Sequence, residues 1–206
     1  WDAVNNVPSA LAFILLLKMA GLNTPFWLAL GVLATAQLLA SLGGHDLVQV
    51  IEKYLGWVLL TAFAIVGCMA ISHAGVAPSS ASAATLSFAS VTIALGAVSS
   101  FNMGWTAYAS DYTRYVPENT SSKTVFLLTF LGTFMSSFIM ELFGLLTGAA
   151  IKDPSPGAVM DALNQWTGPF APVALAAAAF SSIAINAANE LTASYAIISA
   201  GVRVFP

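Results

Sequence analysis

Charged residues are scarce in this sequence. Only 7% of its 206 residues are Asp, Glu, Lys or Arg, whereas a typical soluble domain carries about 25%. Hydrophobic residues make up 58% of the chain, and its mean hydropathy is +0.85. This composition excludes a soluble globular enzyme and a disordered tail. Six basic residues against nine acidic ones leave no basic patch for a nucleic acid, so we expect a membrane-embedded chain.

Cysteine and the common catalytic motifs are also missing. A single residue, Cys68, excludes a disulfide framework and a metal site built from cysteines alone. The sequence contains no phosphate-binding G-x-x-x-x-G-K-[ST], no H-E-x-x-H and no G-x-S-x-G. His45 and His73 lie far apart, without metal-ligand spacing around them. We therefore expect no enzymatic activity, no metal site and no cofactor.

Long apolar runs fill most of the chain. A membrane-spanning helix needs about 20 mostly apolar residues, and charges and turn residues divide the sequence into six such stretches. They are roughly 4–21, 25–43, 54–73, 84–109, 124–150 and 170–199. Continuous Ala, Leu and Phe runs favour helices over alternating β-strands. The sequence predicts an all-α, polytopic membrane protein with about six transmembrane helices in a single domain, residues 1–206.

The two ends of the chain predict a fragment. It starts at Trp1 without an initiator Met or a signal cleavage pattern, and it stops at Pro206, just past the sixth stretch. We therefore expect the parent protein to be longer. The expected partners are membrane lipid and the remaining helices of the parent chain.

Polar side chains at membrane depth are informative, because they are costly in hydrocarbon and usually face a partner or a wet cavity. A spacing of four places Trp1 and Asn5 on one helix face. Asp2 and Asn6 share the neighbouring stripe. The pattern fits an aromatic face beside an amide that reads a ligand edge. It also fits an interfacial Trp with polar residues near a helix end, which the spacing alone favours.

A second polar group interrupts the fourth stretch. Two serines, Asn102 and Gly104 lie within an uncharged run, which is typical of a broken helix whose freed backbone groups face a ligand. Phe101 and Trp105 are four residues apart and can present a ring to a cavity. The alternative is an ordinary packed helix whose serines bond back to the preceding turn.

Carboxyl groups mark the fifth and sixth stretches. Glu141 lies on a stripe of small and polar residues, and the pattern indicates either a packing face or a candidate proton carrier. In the sixth stretch, Ser182, Asn186 and Asn189 share one stripe, with Glu190 one position away. Amides and a carboxylate in mid-span favour a ligand or ion site. The alternative is an interhelical hydrogen-bond cluster.

One segment resembles a known family. Residues 105–120, WTAYASDYTRYVPENT, resemble the signature of the purine–cytosine permeases, within the nucleobase–cation symporter family that also holds allantoin and hydantoin carriers. The D-Y-x-R-Y-x-P core, residues 111–117, is the most specific part. Trp1-x-x-x-Asn5 resembles the W-x-x-x-[N/Q] of the family's third helix. Residues 44–54 resemble the connection between its fourth and fifth helices.

The resemblance implies a fold and a function. The six stretches would be helices three to eight of a five-plus-five inverted repeat, the LeuT-like transporter fold, with its site at the midplane beside broken helices. The implied function is a secondary active symporter in the plasma membrane. It would import a nucleobase or related heterocycle, such as cytosine or a purine, with a proton or a sodium ion.

The resemblance also implies roles for particular residues. Trp1 would stack on one face of the base and Asn5 would hydrogen-bond to its edge. Trp105 or Phe101 would close the other face. Two further substrate ligands would be the N-x-x-N of the eighth helix, Asn186 and Asn189. Aromatic stacking combined with amides is how proteins read unstacked bases in general.

The sequence leaves the coupling ion and two alternative functions open. Sodium-coupled relatives carry hydroxyls five and six residues before the key Asn. Counted from Asn186, these positions are Ser181 and Phe180; counted from Asn189, neither position carries a hydroxyl. The candidates for ion coupling are Ser181, Ser182, Glu141 and Glu190. The alternative functions are a five-plus-five carrier for another small solute and a truncated fragment that packs in the membrane without transporting.

Overall fold

The computed structural model describes residues 2–74, 87–148, 151, 153 and 155–202. All regular secondary structure in these ranges is helical, which confirms the all-α prediction. The helices are α1 (Asp2–Met19), α2 (Phe26–Leu42), α3 (Gly44–Ala74), α4 (Phe88–Gly104), α5 (Ala109–Thr113), α6 (Ser122–Gly148), α7 (Pro156–Thr167) and α8 (Ala171–Ser199). Two 3-10 turns, Trp105–Tyr108 and Gly168–Phe170, lead into α5 and α8.

Three helical stretches of the described residues are long and apolar enough to cross a membrane. They are Gly44–Met69, Ser122–Leu145 and Pro156–Ser199, and the shorter α2 is apolar as well. The other expected spans are less apolar or shorter. Polar and charged residues interrupt α1, and α4 has 17 residues. The chain is therefore a membrane protein whose regular secondary structure is helical throughout the described residues, while the count of six spans stays a prediction.

The described residues form two compact units, residues 1–75 with 145–206, and residues 76–144. In the first unit, α8 packs against α1, α2, α3 and α7. Small side chains on α8, among them Ala174, Ala179, Ala187 and Ala188, are buried, and small residues allow helix backbones to approach closely. Because α8 touches four helices, the polar side chains on its stripe face several neighbours at once.

Helix α3 extends beyond the third apolar stretch. It begins at Gly44, ten residues before residue 54, so the segment that resembles the family's connection between its fourth and fifth helices is helical. Gly44 adopts a left-handed φ of +71°, which glycine tolerates without a Cβ penalty. The chain thus turns directly from α2 into α3, and Asp46 in the first turn of α3 is favourable at the positive end of the helix dipole.

Helix α7 was not predicted from the sequence. Its N-cap is Ser155, whose side chain accepts a hydrogen bond from the Ala158 backbone N–H at 3.4 Å, and Pro156 occupies the first turn. Proline suits that turn because its missing N–H has no intrahelical partner there. Met160 of α7 packs against Leu175 of α8 and Ala12 of α1. The helix therefore covers one side of the first unit's core.

We expect Ser155→Ala to destabilise α7 by about 1 kcal/mol, because the substitution removes the side-chain acceptor at the helix N-terminus. Amide hydrogen exchange should speed up in the first turns of α7 and stay unchanged in α2. Ser136→Ala is the matched control, since the bonds of Ser136 to described residues run back to its own helix. Equal exchange rates in wild type and Ser155→Ala would contradict the cap assignment.

In the second unit, the helix that was predicted to be broken changes its pitch. Helix α4 ends at Gly104, tightens into the 3-10 turn and continues as α5. Ser100 and Asn102 bond back to the carbonyls of Ala97 at 2.9 Å and Val98 at 3.1 Å. The alternative of serines bonded to the preceding turn therefore describes Ser100, and the helix tightens into a 3-10 segment where a break was predicted.

Candidate functional site

Six polar side chains from three helices of the first unit form one hydrogen-bonded group, here called the amide cluster. Its members are Asn5 and Asn6 on α1, Gln37 on α2, and Ser182, Asn186 and Asn189 on α8. The helical spacing of the α8 members puts them on one face, as the sequence predicts. Close packing of α1 and α2 against that face brings the partners within reach.

Asn186 lies at the centre of the amide cluster and is fully buried, with 0% exposure. Its Nδ2 donates to Gln37 Oε1 at 3.3 Å and to the main-chain carbonyl of Asp2 at 3.4 Å. Its Oδ1 accepts from Asn5 Nδ2 at 2.9 Å and from Asn189 Nδ2 at 3.3 Å. The interhelical hydrogen-bond cluster, one of the two interpretations of this stripe, is therefore present around Asn186.

Gln37 is the member of the cluster that the sequence analysis missed. It is 1% exposed and forms a reciprocal pair with Asn6, Nε2 to Oδ1 at 2.6 Å and Nδ2 to Oε1 at 3.3 Å. Its Nε2 also donates to Ser182 Oγ at 3.2 Å. The signal in the sequence was an amide in the middle of an apolar stretch without charges, where an unpartnered amide is costly.

One edge of the amide cluster, here called the rim, is less buried and consists of Asn5 and Asn189 together with the neighbouring Asp2. Asn5, Asn189 and Asp2 are half-buried, whereas Gln37 and Asn186 are enclosed. Asn189 Nδ2 donates to Asp2 Oδ1 at 2.6 Å, so the carboxylate holds this amide on the side of α1. Half-buried amides can exchange a hydrogen bond with a small polar ligand, while the enclosed amides orient them. The rim can therefore read the donors and acceptors of a ligand edge.

A second carboxyl lies beside the rim. Glu190 is half-buried, and its Oε2 is shielded from solvent without a hydrogen-bond partner among the residues that the structure describes. The Ser41 hydroxyl and the Asp2 carboxyl are the neighbours that act on it electrostatically. A shielded carboxyl oxygen of this kind can accept a hydrogen bond or ligate a cation.

The hydroxyl candidates for ion coupling are engaged within the protein. Ser181 donates to the Ala178 carbonyl at 2.9 Å. Ser182 is buried, donates to the Ala179 carbonyl at 3.3 Å and accepts from Gln37. Among the described residues, no three His, Cys, Asp or Glu side chains lie together in a way that could hold a metal ion.

Glu141, the other carboxyl candidate, lies in the second unit. It is exposed and lines an open cavity of about 790 Å³ between α4, α5 and α6, together with Asn102, Thr133 and Ser137. Ser137 Oγ lies 3.5 Å from Asn102 Oδ1. Four phenylalanines of α6 line the same cavity with neighbouring rings stacked 5.7–5.9 Å apart: Phe126, Phe130, Phe134 and Phe138.

The aromatic part of the predicted site is only partly described. Trp1 and the side chain of Phe101 lie outside the described residues. Trp105 is half-buried in the second unit, where its ring lies 5.2 Å from that of Tyr108. Each unit is described by itself, so aromatic stacking beside the amide cluster stays a prediction. The structure brings together the amide residues of the predicted site: Asn5, Asn186 and Asn189.

Comparison with known proteins gives the family. The family described as permease for cytosine/purines, uracil, thiamine and allantoin matches residues 1–203. The chain is 29% identical over 208 residues to the purine-cytosine permease fcyB of Emericella nidulans, covering 92% of this chain and 39% of that protein. It is 28% identical over 165 residues to the putative purine-cytosine permease YxlA of Bacillus subtilis, covering 79% and 35%.

Another relative is named as a transporter of vitamin B6 and not as a purine-cytosine permease. The chain is 23% identical over 218 residues to the vitamin B6 transporter TPN1 of Saccharomyces cerevisiae, covering 96% of this chain and 36% of that protein. No solved structure matches significantly. The chain thus spans well under half the length of these curated relatives.

The family match confirms the resemblance seen in the sequence, since it covers nearly the whole chain. These relatives are permeases and transporters, not enzymes. Membrane-capable helices in the described residues agree with that assignment. The chain belongs to the family of permeases for cytosine/purines, uracil, thiamine and allantoin.

Proposed function

We propose that the full-length protein containing this chain is a secondary active symporter that imports a nucleobase or related heterocycle, such as cytosine or a purine, across the plasma membrane. The amide cluster is the observation that carries this proposal. It joins three helices through amides, with two half-buried amides at its rim. The purine-cytosine permeases among the relatives support the same substrate class.

In this proposal the residues of the predicted site have three roles: bonding to the substrate edge, orienting the bonding residues, and stacking on the ring. Asn5 and Asn189, on the half-buried rim, would bond to the edge of the heterocycle. Asn186 is enclosed, so it would orient both of them. Trp1 would stack on one face of the ring, and Trp105 or Phe101 would close the other, because a flat base gains stability from aromatic contact on its faces.

The proposed architecture is part of a five-plus-five inverted repeat, with the chain supplying helices three to eight. The packing of α8 against four helices suits a helix at the centre of such a transporter. The remaining helices of the parent protein and membrane lipid would surround the units. Alternating access would then move one helix bundle against another around the substrate site.

We propose a proton as the coupling ion. Asp2 touches the substrate-reading amide Asn189 directly, and Glu190 holds a shielded oxygen beside it. Ser182 already accepts from Gln37, which leaves it less able to ligate a sodium ion. Sodium held by Ser181 and Ser182 is the alternative, and Glu141 is a further candidate for proton transfer.

The first test is uptake by the full-length protein with Asn5→Leu. We expect the KM for cytosine to rise about fivefold, the cost of one hydrogen bond to the substrate. Uptake of labelled cytosine would be measured in cells at matched surface expression, with purines, allantoin, hydantoins and vitamin B6 as competitors. Asn164→Leu is the matched control, since Asn164 is a half-buried asparagine of α7 outside the cluster.

Two results would contradict this function. If wild type takes up no cytosine and binds no heterocycle, the protein carries another small solute or does not transport. If vitamin B6 competes and nucleobases do not, the likeness to the vitamin B6 transporter gives the better description. Equal KM values for wild type and Asn5→Leu would remove Asn5 from the site while leaving the transport function intact.

A further inference from the structure

Gln37 uses all of its hydrogen-bonding capacity inside the amide cluster. Its Oε1 accepts from Asn6 at 3.3 Å and from Asn186 at 3.3 Å. Its Nε2 donates to Asn6 at 2.6 Å and to Ser182 at 3.2 Å. An amide offers two donors and accepts at one oxygen, so Gln37 is saturated by α1 and α8 and has no donor or acceptor left for a ligand.

The orientation of the Asn186 amide follows from its neighbours. Oxygen and nitrogen of an amide are assigned from the hydrogen-bond network. The main-chain carbonyl of Asp2 can only accept, so the nitrogen of Asn186 faces it and Gln37 Oε1. The oxygen of Asn186 therefore faces Asn5 and accepts from its Nδ2 at 2.9 Å.

This orientation determines what Asn5 can offer a ligand. One of its two N–H groups is engaged by Asn186, whereas its Oδ1 accepts no hydrogen bond from the described residues. Asn5 is half-buried, so that oxygen can accept a proton donor from a ligand. The chain of bonds from Gln37 through Asn186 to Asn5 thus makes Asn5 an acceptor at the rim.

We propose that Gln37 is a positioning residue for substrate specificity: through Asn186 it holds Asn5 with its oxygen toward the ligand, so that Asn5 selects heterocycles carrying an amino group. This inference rests on the proposed function. Cytosine has an exocyclic amino group, whose N–H projects from the ring and can reach a side chain. Pyrimidin-2-one has the same ring and carbonyl without that group, which makes the two compounds a matched pair.

The experiment measures the ratio of inhibition constants for pyrimidin-2-one and cytosine in the full-length protein. We expect a ratio of about 5 in wild type, the effect of one hydrogen bond. In Gln37→Met, which has similar length and no amide, the ratio should fall about threefold, because only the bond at 3.4 Å to the Asp2 carbonyl then orients Asn186. In Gln37→Glu, which keeps an oxygen for Asn186, the wild-type ratio should be retained.

The ratio does not depend on the amount of folded protein, so a merely structural role of Gln37 would leave it unchanged. Gln49→Leu is the control, since Gln49 bonds to Glu52 within α3, away from the cluster. If Gln37→Met does not reach the membrane, Asn6→Leu removes a partner of Gln37 and should lower the ratio about threefold.

Each outcome has a definite meaning. A wild-type ratio near unity, or a ratio unchanged in Gln37→Met or Asn6→Leu, overturns the positioning role while cytosine uptake still supports the transporter. Absence of any heterocycle binding in wild type overturns the proposed function and this inference together. A ratio that falls in Gln37→Met and is retained in Gln37→Glu supports the proposal that Gln37 orients Asn5 through Asn186.

Discussion

Replacing Asn186 by leucine should reduce cytosine affinity about 30-fold, because it removes the group that orients two rim amides, each worth about 1 kcal/mol. Asn186 Oδ1 accepts from Asn5 and from Asn189, so the substitution frees both side chains at once. Each freed amide then pays an entropic cost before it can meet the substrate. Labelled cytosine binding to the purified full-length protein measures the effect.

The same substitution should lower the free energy of unfolding. Asn186 makes four hydrogen bonds across and along the helices. Interhelical hydrogen bonds in membrane proteins contribute about 0.6 kcal/mol each, so the expected loss is about 2 kcal/mol. Denaturant titration in detergent would measure it, with Asn164→Leu as the control. A variant with wild-type stability and wild-type affinity would show that the cluster does not hold the site.

Asp2 should separate substrate binding from ion coupling. Asp2→Ala removes the acceptor that holds Asn189 at 2.6 Å, and we expect cytosine affinity to fall about tenfold. Asp2→Asn keeps an oxygen that can accept from Asn189 but cannot carry a proton at its side chain. We therefore expect Asp2→Asn to bind cytosine within about threefold of wild type and to lose concentrative uptake.

The measurement is proton movement together with substrate uptake in vesicles that contain the full-length protein. Wild type should carry protons inward with cytosine, and Asp2→Asn should only equalise cytosine across the membrane. Asp161→Ala is the control, since Asp161 is an exposed carboxylate of α7. Concentrative uptake that persists in Asp2→Asn and requires sodium would transfer the coupling role to the hydroxyls of Ser181 and Ser182.

Asn186 and Asp2 belong to different parts of one hydrogen-bond network. Asn186 is enclosed and connects α8 with α1 and α2, so its loss affects packing and binding together. Asp2 lies on the half-buried rim, where its carboxylate meets Asn189 and acts on Glu190. Energies of residues that share partners do not add. A double variant, Asn186→Leu with Asp2→Ala, should therefore weaken binding less than the product of the two single effects.

The amino-acid sequence by itself determined the membrane character, the helices and the family. A chain with long apolar runs and few charges is stable in lipid. Because lipid offers no hydrogen bonds, its backbone polar groups must bond to each other within helices. Helical spacing also placed Ser182, Asn186 and Asn189 on one stripe of α8. These properties follow from local composition and a fixed period, so they can be deduced without knowing which helices become neighbours.

Only the tertiary structure decided which residues meet across helices. Gln37 and Asn186 are 149 positions apart, and Asn189 is 187 positions from Asp2. No local pattern fixes such pairs, because they depend on how α8 packs between α1 and α2. The early start of α3 at Gly44 and the capped helix α7 likewise depend on a backbone turn and on core contacts with α8. The sequence thus placed polar groups on faces, whereas packing decided which amides are enclosed and which lie at the rim.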